Sequence, residues 1–152
     1  MNKPISWFMK KPCLSIHLQK SLQMHKSFLV ISALSGALSV ALGAFGAHGL
    51  KKILPAEAIF TFETGVRYQF YHSFALIAVA ILYDKIPGRF LLWSGYCFLV
   101  GIVLFSGSLY LLSFIQDTQA VGLRKLGILT PIGGLFFIAG WLLLAMAAWR
   151  TS

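Results

Sequence analysis

An all-α fold, an integral membrane four-helix bundle running up-down-up-down, is predicted from three features of the sequence. Residues 90–115 and 126–149 each contain no Asp, Glu, Lys or Arg. Two further apolar runs precede them, at 28–48 and 66–83. Only 11% of the 152 residues are charged, where a soluble domain carries about a quarter. A bilayer core of roughly 30 Å needs about 20 helical residues at about 1.5 Å each, so both uncharged stretches are long enough to span it. A soluble bundle would show a charged stripe on each helix, and none is visible.

The formal charge of +9 would suggest a nucleic-acid partner in a soluble protein. Here the basic residues lie in short segments flanking the apolar runs, where lipid headgroups account for them. Membrane lipids are therefore the expected partners, and nucleic acid is not. Cys13 and Cys97 lie far apart in different media and suggest neither a disulfide framework nor a metal site.

Residues 1–23 are Lys-rich and free of acid, with Pro4 and Pro12 but no sustained apolar block. They form a basic N-terminal extension that is expected to be disordered, and they lack the apolar core of a secretory signal. They read equally well as a dispensable extension ahead of a natural start at Met24 and as a surface-binding tail. Residues 24–152 are the four-span transmembrane domain.

In the first span, 28–48, the small residues Ser35, Ser39, Gly43 and Ala47 recur every fourth position, which places them on one helix face. In lipid a smooth face permits close backbone approach, so this row is the expected helix-packing seam. Gly43, Gly46 and Gly49 follow a membrane helix with no strand before them, so they are not a nucleotide loop. Pro55 suits a first-turn position and Glu57 the positive end of a helix opening an amphipathic stretch at 56–64. Glu63 and Arg67 are four apart in the acid-first order that favours pairing.

The second span, 66–83, begins with Arg67, Tyr68, Gln69 and His72, and the turn at Pro87-Gly88 ends the hairpin. The third span, 90–115, carries Ser106, Ser108 and Tyr110 near its far end. The loop 116–125 holds Asp117, Arg124 and Lys125. The fourth span, 128–149, opens at Thr130-Pro131, which reads either as an N-cap with a first-turn proline or as a proline kink in a helix starting near Leu126. A weak internal echo, Ser35-Gly36 before Phe45 and Ser94-Gly95 before Phe105, suggests two related hairpins.

With alternating spans, one membrane face collects His48, Glu63, Arg67, Tyr68, His72, Ser106, Ser108, Tyr110 and Thr130. Polar groups in the hydrocarbon edge are costly unless hydrogen-bonded, so they are expected to find one another. The cluster reads as a helix clamp or as a site for a lipid headgroup or small ligand, with His48 and His72 as its titratable members. No nucleophile, base and acid are set out by spacing, so no catalytic residues and no enzymatic activity are expected. Two histidines without a third ligand do not make a metal site, and no cofactor is implied. The alternative is a small transporter or channel subunit acting as a homo-oligomer through the Ser35-Ser39-Gly43-Ala47 seam.

Residues 24–150 resemble the YgdD-type small inner-membrane proteins (domain of unknown function 423). Four blocks carry the resemblance in order: Gly43-Ala44-Phe45-Gly46-Ala47-His48-Gly49-Leu50; Phe62-Glu63-Thr64-Gly65-Val66-Arg67-Tyr68-Gln69 with Tyr71-His72; Phe105-Ser106-Gly107-Ser108-Leu109-Tyr110; and Thr130-Pro131-Ile132-Gly133-Gly134 leading to Gly140-Trp141. The resemblance implies a four-span protein of the bacterial cytoplasmic (inner) membrane with no established biochemical activity; the N-terminal extension departs from it.

Orientation follows from the basic residues. Lys3, Lys10, Lys11, Lys20, Lys26, Lys85, Arg89 and Arg150 lie on the side of the termini, against Lys51, Lys52, Arg67, Arg124 and Lys125. That excess predicts both termini inside, and it disappears if the chain starts at Met24.

Overall fold

The computed structural model describes residues 25–115 and 127–150. The extension 1–23 with Cys13, and the loop residues Asp117, Arg124 and Lys125, lie outside the described residues. Helix α1 is Lys26–His48, followed by a 3-10 turn at Leu50–Lys52. Helix α2 is Ala56–Lys85. Helix α3, Arg89–Gly101, passes through a π-helical turn at Ile102–Ser106 into α4, Gly107–Ile115. Helix α5 is Leu129–Trp149. No strand occurs among the described residues.

Three helical stretches are long and apolar enough to cross a membrane: Lys26–Lys52, Arg89–Ile115 and Leu129–Trp149. At about 1.5 Å per residue each covers roughly 30 Å or more. Leu34, Val40, Val103, Leu135 and Leu142 are exposed on their outer faces, as expected of surfaces in contact with lipid.

The amphipathic stretch at 56–64 and the expected second span at 66–83 are one helix of 30 residues, which is not among the three stretches long and apolar enough to cross a membrane. No proline interrupts it, and its buried residues Ala58, Phe62, Gly65, Gln69, His72, Ser73, Leu76, Val79 and Ala80 follow helical spacing, with Ala75 buried beside that face. Pro55 is the N-cap of α2, its carbonyl accepting from the Ile59 N–H, and Glu57 lies in the first turn. The helix packs on α1 along one side and on α3 and α4 along the other. A helix flanked by protein on two sides can carry amides, imidazole and hydroxyls that lipid would not accept.

Helices α1 and α2 run antiparallel. The His25 N–H donates to the Ala80 carbonyl (3.2 Å), and Gly46 meets the Phe62 ring at the other end. Helix α5 runs antiparallel to α3 and α4: Ser94 Oγ donates to the Gly140 carbonyl (2.8 Å), while Ser108 meets Thr130. Close approach here depends on glycine. A Cβ on Gly133 would strike the Phe105 backbone nitrogen, and one on Gly140 would lie 2.7 Å from the Phe98 ring. Phe28, Leu76, Val79, Leu91, Phe98 and Phe137 form the apolar core.

The π turn resets the register of the third rod. Its buried stripe runs Leu91, Ser94, Gly95, Phe98 and Gly101, then skips to Ser106 and Ser108. The extra residue that a π turn inserts carries the stripe across that gap.

Candidate functional site

The polar residues gather into separate groups. At the centre is Gln69, buried on α2 at 4% exposure. Its Oε1 accepts from the Tyr110 hydroxyl on α4 (2.8 Å), and its Nε2 donates to the Ser35 carbonyl on α1 (3.0 Å). One amide therefore joins three helices. One turn on, Ser73 Oγ lies 2.8 Å from both Ser35 Oγ and the Gln69 carbonyl. Ser39 Oγ adds a bond to the Ser35 carbonyl (2.9 Å).

His72 forms the second group and is also buried. Its Nδ1–H donates to the Tyr68 carbonyl (2.8 Å), and its Nε2 accepts from Trp141 Nε1 (3.4 Å). With one nitrogen donating and the other accepting, the imidazole is held as the neutral Nδ1–H tautomer. Its ring stacks on Phe137 with centroids 3.4 Å apart and an interplanar angle of 8°. Phe98 (5.7 Å) and Tyr68 (6.0 Å) complete an aromatic box.

The third group lies where α4 meets α5. Ser108 Oγ is 2.7 Å from Thr130 Oγ1 and also donates to the Phe105 carbonyl (2.9 Å). The N-cap of α5 is Ile128, so Thr130 is inside the first turn and does not cap it; its hydroxyl faces Ser108 instead. Pro131 still falls in the first turn, where a missing N–H costs nothing. Ser106, in the π turn, is fully buried, and its hydroxyl is without a hydrogen-bond partner among the described residues.

His48, Glu63 and Arg67 do not join these groups. His48 is exposed at the end of α1. There α1 lies level with Phe62, about 15 Å along α2 from His72 at 1.5 Å per residue. The expected Glu63–Arg67 pair is not formed: the Arg67 guanidinium carbon lies 5.8 Å from the centroid of the Phe60 ring. Both side chains line an open groove of about 540 Å³ with Gly43, Phe60 and Val66.

The packing seam on α1 is corrected by one residue at its end. Ser39 is buried and Gly43 faces Val66 of α2, but Ala47 is exposed and Gly46 is buried against Phe62. Four residues turn a helix by about 400°, so a strict every-fourth row drifts by about 40° per step and leaves the interface. The true seam mixes steps of four and three, ending Ser39, Gly43, Gly46. Gln69, Ser73, Phe137 and Trp141 were not legible as site residues. The spacing of Gln69, His72 and Ser73 on one face was the available signal.

Long apolar helices, with buried polar side chains bonded to one another across helix boundaries, define a small multi-pass membrane protein. The family model described as Protein of unknown function (DUF423) matches residues 42–134, from the second half of α1 to the first turns of α5. The UPF0382 membrane protein YwdK of Bacillus subtilis (strain 168) is 43% identical over 124 residues, covering 81% of this chain and 96% of that protein. A UPF0382 membrane protein of Haemophilus influenzae is 43% identical over 129 residues, covering 85% and 98%. The UPF0382 inner membrane protein YgdD of Escherichia coli (strain K12) is 39% identical over 122 residues, covering 80% and 88%. The chain belongs to this UPF0382 (DUF423) family of membrane proteins, whose function is uncharacterised. No solved structure matches it.

Proposed function

We propose that the chain is a non-enzymatic protein of the bacterial cytoplasmic membrane that crosses the bilayer four times, up-down-up-down, and that its inner polar groups act as a helix clamp. One observation carries this reading. Both ends of the Gln69 amide and both nitrogens of His72 are already bonded within the chain. A buried group whose nitrogen and oxygen atoms are each already bonded internally stabilises packing and has less capacity left for a substrate. Thermal unfolding in detergent tests the clamp: His72→Ala is expected to lower the midpoint by several degrees, and an unchanged midpoint would exclude it.

A second reading is favoured by the groove. Glu63 and Arg67 flank it without pairing, beside Phe60 and the smooth Gly43. A cation and an anion one helix turn apart at the membrane boundary complement a zwitterionic headgroup, with phosphate toward Arg67 and ammonium toward Glu63. Retention of phosphatidylethanolamine by the purified protein is expected to fall in Arg67→Gln and in Glu63→Gln. Retention at the wild-type level in both variants would rule the groove out as a lipid site.

The transport reading gains less support. Toward Asp84 the core turns apolar, with Leu76, Val79, Ala80 and Leu91 fully buried. Ser35 and Gly43 meet α2 of the same chain, and Ser39 is buried, so a homo-oligomer would need another surface. Both termini are expected in the cytoplasm: a reporter that works only outside the cytoplasm, fused at Ser152, is expected to be inactive, and its activity would overturn this orientation.

A further inference from the structure

At the end of the bundle away from His48, the first turn of α3 and the last two turns of α5 leave a cavity of about 670 Å³ between them. It is lined by Arg89, Phe90, Trp93, Leu143 and Arg150. None of these is acidic, so among the described residues two cations face one space with no carboxylate on its wall. Leu143 and Arg150 are seven apart, two turns along one face of α5, and Arg89 and Trp93 are one turn apart on α3. The cavity therefore has an apolar, aromatic side running along the helices and a cationic rim at the chain end. Arg150 is held in place, its guanidinium carbon 4.5 Å from the Phe90 ring centroid. No side chain caps the start of α3 at Gly88, so the partial positive charge of that helix end adds to the rim.

We propose that this cavity is a binding site for an anionic glycerophospholipid, with the phosphate between Arg89 and Arg150 and an acyl chain along Trp93 and Leu143. The division of the cavity supports this occupant over a free anion. A soluble phosphate would use the arginines and leave the apolar wall unmatched, whereas a lipid satisfies both ends. Arginine suits the task because its planar fork bonds two phosphate oxygens together. Trp93, 61% exposed and one turn from Arg89, suits the interfacial position that tryptophans favour. The site is distinct from the Glu63/Arg67 groove, which lies near the opposite end of the bundle and pairs a cation with an anion. The proposal relies on the membrane-spanning reading, but its own failure shows separately, as loss of lipid preference in a protein that still inserts.

The test is native mass spectrometry of the full chain, released from nanodiscs containing equal phosphatidylglycerol and phosphatidylethanolamine. The wild type is expected to retain phosphatidylglycerol preferentially. Arg89→Gln/Arg150→Gln is expected to lose roughly tenfold of that preference, from two basic groups near a lipid surface. The charge-matched Lys51→Gln/Lys52→Gln variant is expected to keep it. Both arginines are exposed, so the double variant is expected to retain wild-type helix content. The wild-type measurement stands without any variant: no preference there overturns the site. Equal losses in the two double variants would show general surface electrostatics and overturn it as well. Displacement of the lipid by millimolar inorganic phosphate would overturn the lipid as occupant.

Discussion

The Tyr110 hydroxyl donates to Gln69 Oε1 at 2.8 Å, joining the far end of the third rod to the middle of α2. Because the same amide reaches back to the Ser35 carbonyl, a contact between two residues holds three helices in register.

Replacing Gln69 by Leu leaves the Tyr110 hydroxyl without its acceptor in a dry setting. A stability loss of about 1–3 kcal/mol is expected, as for an orphaned buried group. Tyr110→Phe alone should cost less. A double-mutant cycle in detergent should give a coupling of about 0.6–2 kcal/mol, the range for interhelical bonds in membranes. A coupling of zero would mean that the contact does not hold the helices.

His72→Phe keeps a ring able to stack on Phe137 but removes the acceptor for Trp141 Nε1. Trp141 emission is expected to shift to shorter wavelength, with a modest stability loss of about 0.5–1.5 kcal/mol from the missing bonds. An unchanged spectrum would show that the indole does not bond to the imidazole.

Two glycine substitutions should behave oppositely. Gly133→Ala drives a methyl into the Phe105 backbone, which cannot step aside as a side-chain tip can. Overpacking of this kind costs about 1–3 kcal/mol or more. A Cβ on Gly36 meets nothing within 4 Å, so Gly36→Ala should be neutral or stabilising by up to about 1 kcal/mol through helix propensity. Comparing the two unfolding midpoints checks both.

Ser106→Ala should be neutral or stabilising by up to about 1 kcal/mol, since it removes a buried hydroxyl that has no partner among the described residues. Ser108→Ala should instead destabilise, because it strands the Thr130 hydroxyl. If Ser106→Ala proves the more damaging, the hydroxyl has a role in the π turn that packing does not supply.

What the sequence by itself determined is the membrane class and the all-helical character of the chain. Both follow from additive, local terms: twenty uncharged residues in a row favour hydrocarbon whatever surrounds them. The packing of α1 was partly legible for the same reason, as small residues at helical spacing mark a face without naming its partner. Tertiary structure decided the rest. Ala47 gave way to Gly46 because real helical periodicity is not four. Glu63 and Arg67 separated although their spacing suits a pair. Thr130 turned from a cap to a partner of Ser108. Gln69, an unremarkable amide in the sequence, became the joint of three helices. Each outcome depends on which side chains from distant segments arrive at one place, and in a dry interior that arrival, more than the residue type alone, sets whether a polar group is costly or stabilising.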